Sequence, residues 1–551
     1  MPLLATAALL VLALFAVPAH AQATLSHTED AAPVPEGMLR FRVVTAWTRA
    51  DDRFTPNGLV PLGTDFSADA LGPTQLPLLA PAWAGLQTLT ANPSVRLSLG
   101  RLDVGSNARI VTTPISLEYG LTSRLTLGIV VPIVQTRRVA RAHVNEDTSA
   151  AYRGTVAYVP VGARSTAANT NLAFATAYQR AADSLGARIT RCQQNPAGAD
   201  CGGVNANAAA AAAARAQAQS FAAAARALGA DAAHAIVAPL GNTALADSIE
   251  ARRILLNQQL VQLLGAGYGA TTSVYTAPYR FTYIDLQGND AAGTPGLLQS
   301  PLGGGLDSVY TTDRLGIGDI SISAQYLLFD RFQRDSLPVR GLQTRLAVGG
   351  AWRFNTSRPD TTRNLTDIRT GDGSGVELHS VMDLIMGHFG STVGARYLKS
   401  FGRKQGAPLF GDPAAPWPYP LFGTRSRTAG TVMGLDLTPR VLVDQAFSIE
   451  GHYGIERVGP TTWDTPDVSL IDPCVGCVLP AVVTESGTTT TAQRLGIGFR
   501  YSTVDAFFRR QARYPVEVSF THLTTITGDP GLERISRDQI QVRLYYRLLG
   551  R

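Results

Sequence analysis

Beyond its N-terminal segment the chain has no run of about 18 consecutive apolar residues, which excludes a helical membrane span there. Charge is also scarce: Asp, Glu, Lys and Arg make up 16% of 551 residues, below the roughly 25% of soluble globular proteins. The net charge of +6 is mild over this length, and no dense Lys/Arg run occurs, so a nucleic-acid partner is excluded. No H-x-x-x-H, P-loop or G-x-S-x-G pattern is present. Gly371-Asp372-Gly373-Ser374-Gly375 has the glycine content of a phosphate loop. A strand and not a helix follows it, so it reads as a hairpin loop. The chain is therefore read as a non-enzyme with no metal and no cofactor.

Glycine, by contrast, is abundant with 53 copies. The first segment has the form of an export signal. An apolar run from Leu9 to Val17 precedes Pro18 and an A-x-A site, Ala19-His20-Ala21, so residues 1–21 are expected to be removed. Gln22 follows the site and not Cys, which argues against a lipid anchor. An exported chain without a helical span is periplasmic, released, or a membrane barrel. The four cysteines form two local pairs, Cys192 with Cys201 and Cys474 with Cys477, each in a Gly/Pro-punctuated loop. Loop disulfides in an oxidising compartment are the expectation. Zinc or redox chemistry at Cys474-Val475-Gly476-Cys477 would need further ligands or a helix N-terminus, and the sequence offers neither.

Alternation with period two recurs about twelve times. In 342–354, Leu342, Thr344, Leu346, Val348, Trp352 and Phe354 interleave with Gln343, Arg345, Ala347 and Arg353. Strands are predicted at 39–48, 109–119, 124–139, 316–329, 342–354, 376–386, 391–401, 428–437, 440–456, 492–502, 516–527 and 536–549. One face carries Arg, Glu, Asp, Gln and His deep in strand centres. The other is apolar, with Trp47, Tyr119, Tyr397, Tyr501 and Tyr546 toward strand ends. A lipid-facing band with aromatic girdles around a polar lumen has that dress.

Connection lengths sort by parity, as in an outer-membrane barrel with short periplasmic turns and long outer loops. The second, sixth and eighth connections are a few residues, the last of these read at Thr438-Pro439. The odd-numbered ones are long, except the eleventh near Gly528-Asp529-Pro530-Gly531. The third, 145–314, is too long for a bare loop. Helices are predicted in it at 170–190, 205–228 and 244–264. The Ala208–Ala214 run is either a solvated or a close-packed helix, since Ala has the highest helix propensity. The insert either caps the barrel mouth or folds into the lumen.

The fold expected is thus all-β: an antiparallel transmembrane β-barrel of about twelve strands with an α-helical insert in one long extracellular loop. The chain divides into a signal peptide (1–21), the first strands and a long first loop (22–144), the extracellular insert (145–314) and the remaining strands (315–551). Candidate lumen-lining residues are Arg345, Arg353, Glu377, His379, Asp383, Arg396, Glu450, His452, Arg494 and Arg500. They either pair and plug the lumen or line a solute path. His379 and Ser380 are strand neighbours on opposite faces, so they cannot form a Ser–His pair. His452 lies near Glu450 and Glu456 but lacks a nearby Ser nucleophile.

Three stretches, 114–128 (with Tyr119-Gly120-Leu121-Thr122), Gly316-Ile317-Gly318-Asp319-Ile320 and Thr370-Gly371-Asp372-Gly373-Ser374-Gly375, resemble a known family. It is the outer-membrane transporter-like barrels associated with phenol meta-pathway degradation proteins. The resemblance spans most strand-forming parts but neither the helical insert nor the Cys477 loop. It implies a barrel in the outer membrane, assembled there by the outer-membrane insertion machinery. It also implies passage of small, hydrophobic or aromatic molecules, and it carries no catalytic residues. One departure stands out: such barrels usually close on an aromatic residue, whereas this chain ends Tyr545-Tyr546-Arg547-Leu548-Leu549-Gly550-Arg551. The function expected is a channel for small solutes with outer-membrane lipid around it. The alternatives are a barrel whose insert and disulfide loops bind a surface partner, and an outer-membrane lipid hydrolase.

Overall fold

The structure, a computed structural model, describes residues 30–76, 79–146, 154–288, 293–299, 311–332, 339–358, 370–408, 422–463, 483–484 and 489–547. The signal segment and the Cys474/Cys477 pair lie outside the described residues.

Twelve antiparallel strands close into a barrel. They are β1 (Met38–Thr55), β2 (Leu102–Gly120), β3 (Leu125–Val144), β4 in two segments (Thr312–Ile317 and Ser321–Asp330), β5 (Val339–Arg353), β6 (Gly375–Gly387), β7 (Phe389–Ser400), β8 (Val432–Leu442), β9 (Phe447–Val458), β10 (Thr490–Ser502), β11 (Val516–Gly528) and β12 (Glu533–Arg547). Each strand pairs with its sequence neighbours. β1 pairs with both β2 (Leu39 opposite Tyr119) and β12 (Leu39 opposite Tyr546), which seals the cylinder. A closed ladder has no edge, so backbone donors are satisfied within the sheet.

Side chains alternate as the period-two pattern requires. Phe41, Trp47, Leu117, Ile129, Trp352, Leu378, Tyr397, Ile449, Phe499 and Tyr546 are exposed on the outer surface. Arg40, Arg42, Glu118, Thr126, His379, Asp383, Glu450 and Arg543 are buried on the inner one. An apolar outside around a charged inside is the reverse of a soluble sandwich, whose buried faces are the apolar ones.

Short turns gather at one end: 121–124, 388, and 443–446. The eighth turn differs from its predicted place. β8 runs through Thr438-Pro439, and the turn falls four residues later, where Asp444 Oδ1 accepts from the amides of Ala446 and Phe447 at 2.7 Å each. Pro439 is tolerated in mid-strand because only one ladder lapses there. Its β7 register continues opposite Ser391, while the β9 register skips from Leu437/Tyr453 to Arg440/Glu450.

The third connection folds into helices α2 (Val161–Gln194), α3 (Ala208–Ala227) and α4 (Ala244–Leu264). An unpredicted helix in the first connection, α1 (Ala80–Thr90), joins them. Its apolar spacing, Ala82, Leu86 and Leu89 behind Pro81, carried the signal. All four share one core with Leu71, Leu76, Leu97 and Leu99 of the first connection, so the helical unit draws on residues outside 145–314. The alanine run packs closely on one face. Ala211, Ala214 and Ala218 are buried, and a Cβ on Gly85 would meet the Ala224 carbonyl oxygen at 2.8 Å. Tyr178 sits among Phe174 and Phe221 and donates to Asn257 Oδ1 at 2.7 Å; burial pushes its hydroxyl well above the usual phenol range, holding it neutral.

Cys192 and Cys201 are bonded, closing a short loop after α2. Two outcomes follow. The purified chain should migrate faster on denaturing gels before boiling than after, because the closed ladder resists detergent; a single boiling-independent band would contradict the barrel. Cys192→Ser/Cys201→Ser should cost the helical unit about 2–3 kcal/mol, read as a lowered first transition in thermal scanning, while that gel shift persists.

Candidate functional site: a charged lumen holding the N-terminal segment

The inner wall is a set of arginine–carboxylate clusters, and sequence alternation dictates their placement. On β6, Glu377, His379, Val381 and Asp383 face inward while Leu378 and Met382 face out. Asp383 is fully buried and accepts from Arg345 Nη2 on β5 at 2.9 Å and Thr392 Oγ1 on β7 at 2.7 Å. Glu456 on β9 bridges Arg396, in a short contact, and Arg494 at 2.8 Å. Glu450 meets Arg500 at 3.0 Å, with His452 Nε2 3.8 Å away. His379 Nδ1 lies 3.7 Å from Glu377. Arg353 stands apart from these ion pairs and donates to Gly373 O (2.9 Å) and Ser400 Oγ (2.7 Å). All ten sequence candidates therefore sit on the inner face, in several clusters and not in one site.

A further set completes the lining: Arg40 paired with Glu118, Arg42 beside them, and Arg543 bonded to Glu517 at 2.9 Å. Their signal was present, since Arg40 and Arg42 alternate with Phe41 and Val43 just as Arg543 alternates with Val542 and Leu544.

The lumen is also occupied from within. Residues 30–37, immediately before β1, run back from the short-turn end into the barrel. The Asp30 carboxylate binds Arg543, the Ala31 amide donates to Asp383 Oδ2 at 3.0 Å, and the Val34 amide donates to Thr126 Oγ1 at 2.9 Å. The Ala32 amide is capped by Asp30 Oδ1 at 3.0 Å and the Gly37 amide by Gly120 O at 2.9 Å. Pro33 and Pro35 have no N–H, so few donors need partners inside the wall. Ala31 and Val34 are fully buried, Ala31 against Ala347 and Val381. The segment requires Gly120, where an added Cβ would meet Pro35 O at 2.2 Å and Val34 O at 2.4 Å. Below it a vestibule of about 230 Å³ opens at the short-turn end, where Phe332, Phe447, Phe508 and Tyr545 stand beside Arg345, Arg440 and Arg500 and the carboxylates of Asp383, Asp444 and Glu517.

Two motifs singled out in the sequence meet each other. β4 is broken at 318–320, opposite Val131-Pro132, and Gly318 N donates to Pro132 O at 2.8 Å. Asp319 turns from the break to hold the glycine loop, accepting from Ser357 N at 3.0 Å and Gly373 N at 2.9 Å.

No protein-family model and no curated protein matches the sequence. Several solved structures are similar to the chain. They include an outer-membrane channel of Pseudomonas putida F1 (8% identity, 94% of this chain and 98% of that one, TM-score 0.39). Another is the P. putida toluene transporter TodX (9%, 93% and 89%, TM-score 0.24). A third is the translocator domain of the Neisseria meningitidis autotransporter NalP (6%, 92% and 88%, TM-score 0.27). At such identity and overlap these likenesses carry no argument, and the fold rests on the strand register itself.

Asp383 holds both Arg345 and the Ala31 amide, so losing its carboxylate frees the segment. With Ala31→Cys as a reporter, a water-soluble maleimide should label slowly, and Asp383→Ala should raise the rate about tenfold or more, as one buried hydrogen bond of 1–3 kcal/mol implies. Equal rates would mean that Asp383 does not retain the segment.

Proposed function

We propose that the protein is an outer-membrane channel for small solutes, held closed in this structure by residues 30–37. The observation that carries it is a closed cylinder with an apolar outer belt whose interior is blocked by a few non-covalent contacts of its own N-terminal segment. A permanently solid barrel could fill its lumen with wall side chains alone; a segment lodged on side-chain partners can leave. The mixed vestibule suits molecules with an apolar body and a polar handle, since Phe332, Phe447 and Phe508 supply faces and Arg345, Arg440 and Arg500, with Asp444 and Glu517 among them, supply charge of both signs. Small aromatic compounds are the first to try, in line with the family resemblance.

In this reading lipid surrounds the belt, the outer-membrane insertion machinery assembles it, and the short-turn end faces the periplasm. Residues 145–311, with α1 added, stand outside the cell. The charged lining sets the local field along the path. An interaction role for the helical unit is a second reading, favoured by the exposed apolar side chains of Ile254, Leu255 and Val261 on α4. Removing 145–311 from a chain that starts at Met38 separates the two, because an opened channel keeps its conductance and a surface receptor loses its partner.

In planar bilayers the mature chain should be closed or nearly so, and a chain starting at Met38 should conduct in stable steps. Small aromatic alcohols and acids should then enter vesicles holding the truncated form faster than vesicles holding the full one. A truncated barrel that inserts yet passes neither ions nor these solutes would overturn the channel reading.

A further inference from the structure

The outer surface of the barrel carries a row of arginines where its apolar belt ends. Arg49 on β1 pairs in register with Arg109 on β2, and Arg109 pairs with Arg137 on β3. All three are exposed and belong to the outward set, each two residues beyond Trp47, Val111 and Gln135. Adjacent strands lie about 4.8 Å apart, so three cations stand shoulder to shoulder. Like charges directly opposite one another destabilise a sheet. Among the described residues none of the three makes a hydrogen bond or an ion pair. Their flanks are Ser536 beyond Arg49 and Asp313 beyond Arg137; Asp313, a single carboxylate at one end of the row, accepts from Gln135 at 3.1 Å and makes no ion pair with Arg137. Asp51 lies one step further from the belt on β1. Arg138, next in sequence and facing inward, does have a carboxylate, Glu533 at 2.9 Å. The inner cation has an ion-pair partner, and among the described residues the outer three have none.

Depth identifies what would match them. Arg109 lies roughly 33 Å along β2 from the opposite girdle residue Tyr119, about 25 Å of membrane height at the usual barrel tilt. Trp47, 44% exposed, marks the interface just below. Resting on the outer-membrane reading above, we infer that Arg49, Arg109 and Arg137 form a binding site for the phosphate groups of an outer-leaflet glycolipid. Guanidinium forks bind phosphate bidentately, and three in a row span a bisphosphorylated headgroup better than a single anion. Bound lipid would relieve the repulsion across β1–β2–β3, the stretch of wall from which the first connection and the helical insert depart.

The test uses the full mature chain in detergent, with bisphosphorylated diglucosamine lipid as probe, phosphatidylcholine as control, and native mass spectrometry as readout. The wild type should retain the glycolipid. Arg49→Gln/Arg109→Gln/Arg137→Gln should weaken apparent affinity about a hundredfold. Lys399→Gln/Arg457→Gln, outward cations across the barrel that are not in one register row, should leave it within about twofold. Inorganic phosphate at millimolar concentration should not displace the lipid. Equal retention by the triple variant, equal loss in the double variant, or displacement by free phosphate would each overturn the assignment. Should the triple variant lose the boiling-dependent gel shift, Arg109→Gln alone is read instead: about a fivefold loss is expected, and none would refute the site. A wild type without that shift indicts the outer-membrane reading and not this one.

Discussion

Hydrocarbon offers no hydrogen bonds, so every polar group at membrane depth must find its partner inside the protein. The closure of β1 onto both β2 and β12 satisfies the backbone at once. The side chains then divide by parity: apolar ones outward, ionic ones inward, where each buried charge needs a counter-charge or, as at Arg353, neutral acceptors. Burying arginines costs a great deal unless they are paired and hydrogen-bonded. Asp383, Glu456, Glu450 and Glu118 meet that requirement with Arg345, Arg396 and Arg494, Arg500, and Arg40.

The same constraint explains the lodged segment. A peptide entering a charged lumen brings backbone donors of its own, and residues 30–37 bring fewer than most. Two prolines remove donors, and the amides of Ala31, Val34, Gly37 and Ala32 land on Asp383, Thr126, Gly120 O and Asp30 itself. Asp30 also adds a negative charge beside Arg543, in an interior crowded with guanidinium groups. The segment is thus held by electrostatics and hydrogen bonds against a wall rich in both, with the short apolar side chains of Ala31 and Val34 buried beside them. That balance suits a closure that can be undone.

Much of this was legible in the chain. Alternation located all twelve strands because a lipid-facing wall forces period two on every one of them, and loop parity gave the two ends. The inward charges followed from the same count. What escaped depended on contacts distant in sequence. The eighth turn was misplaced because Pro439 reads locally as a turn, whereas only the pairing with β7 shows that it can stay in strand. Helix α1 was missed for being short and dependent on α3 for its burial. The lumen segment had no local signal beyond Ala-Pro-Val-Pro, and its role appears only when Asp30 meets Arg543, some five hundred residues away. Gly120, legible as turn chemistry, proves to be needed for that segment's passage.

The central claim is that the two faces of each strand meet different media. Single cysteines placed along β6 and labelled with a fluorophore, in vesicles carrying spin-labelled lipid, measure this directly. Leu378, Met382 and Leu384 should be quenched strongly, and the interleaved His379, Val381 and Asp383 weakly, in strict alternation. Quenching that is uniform along the strand, or absent at all six positions, would contradict the account.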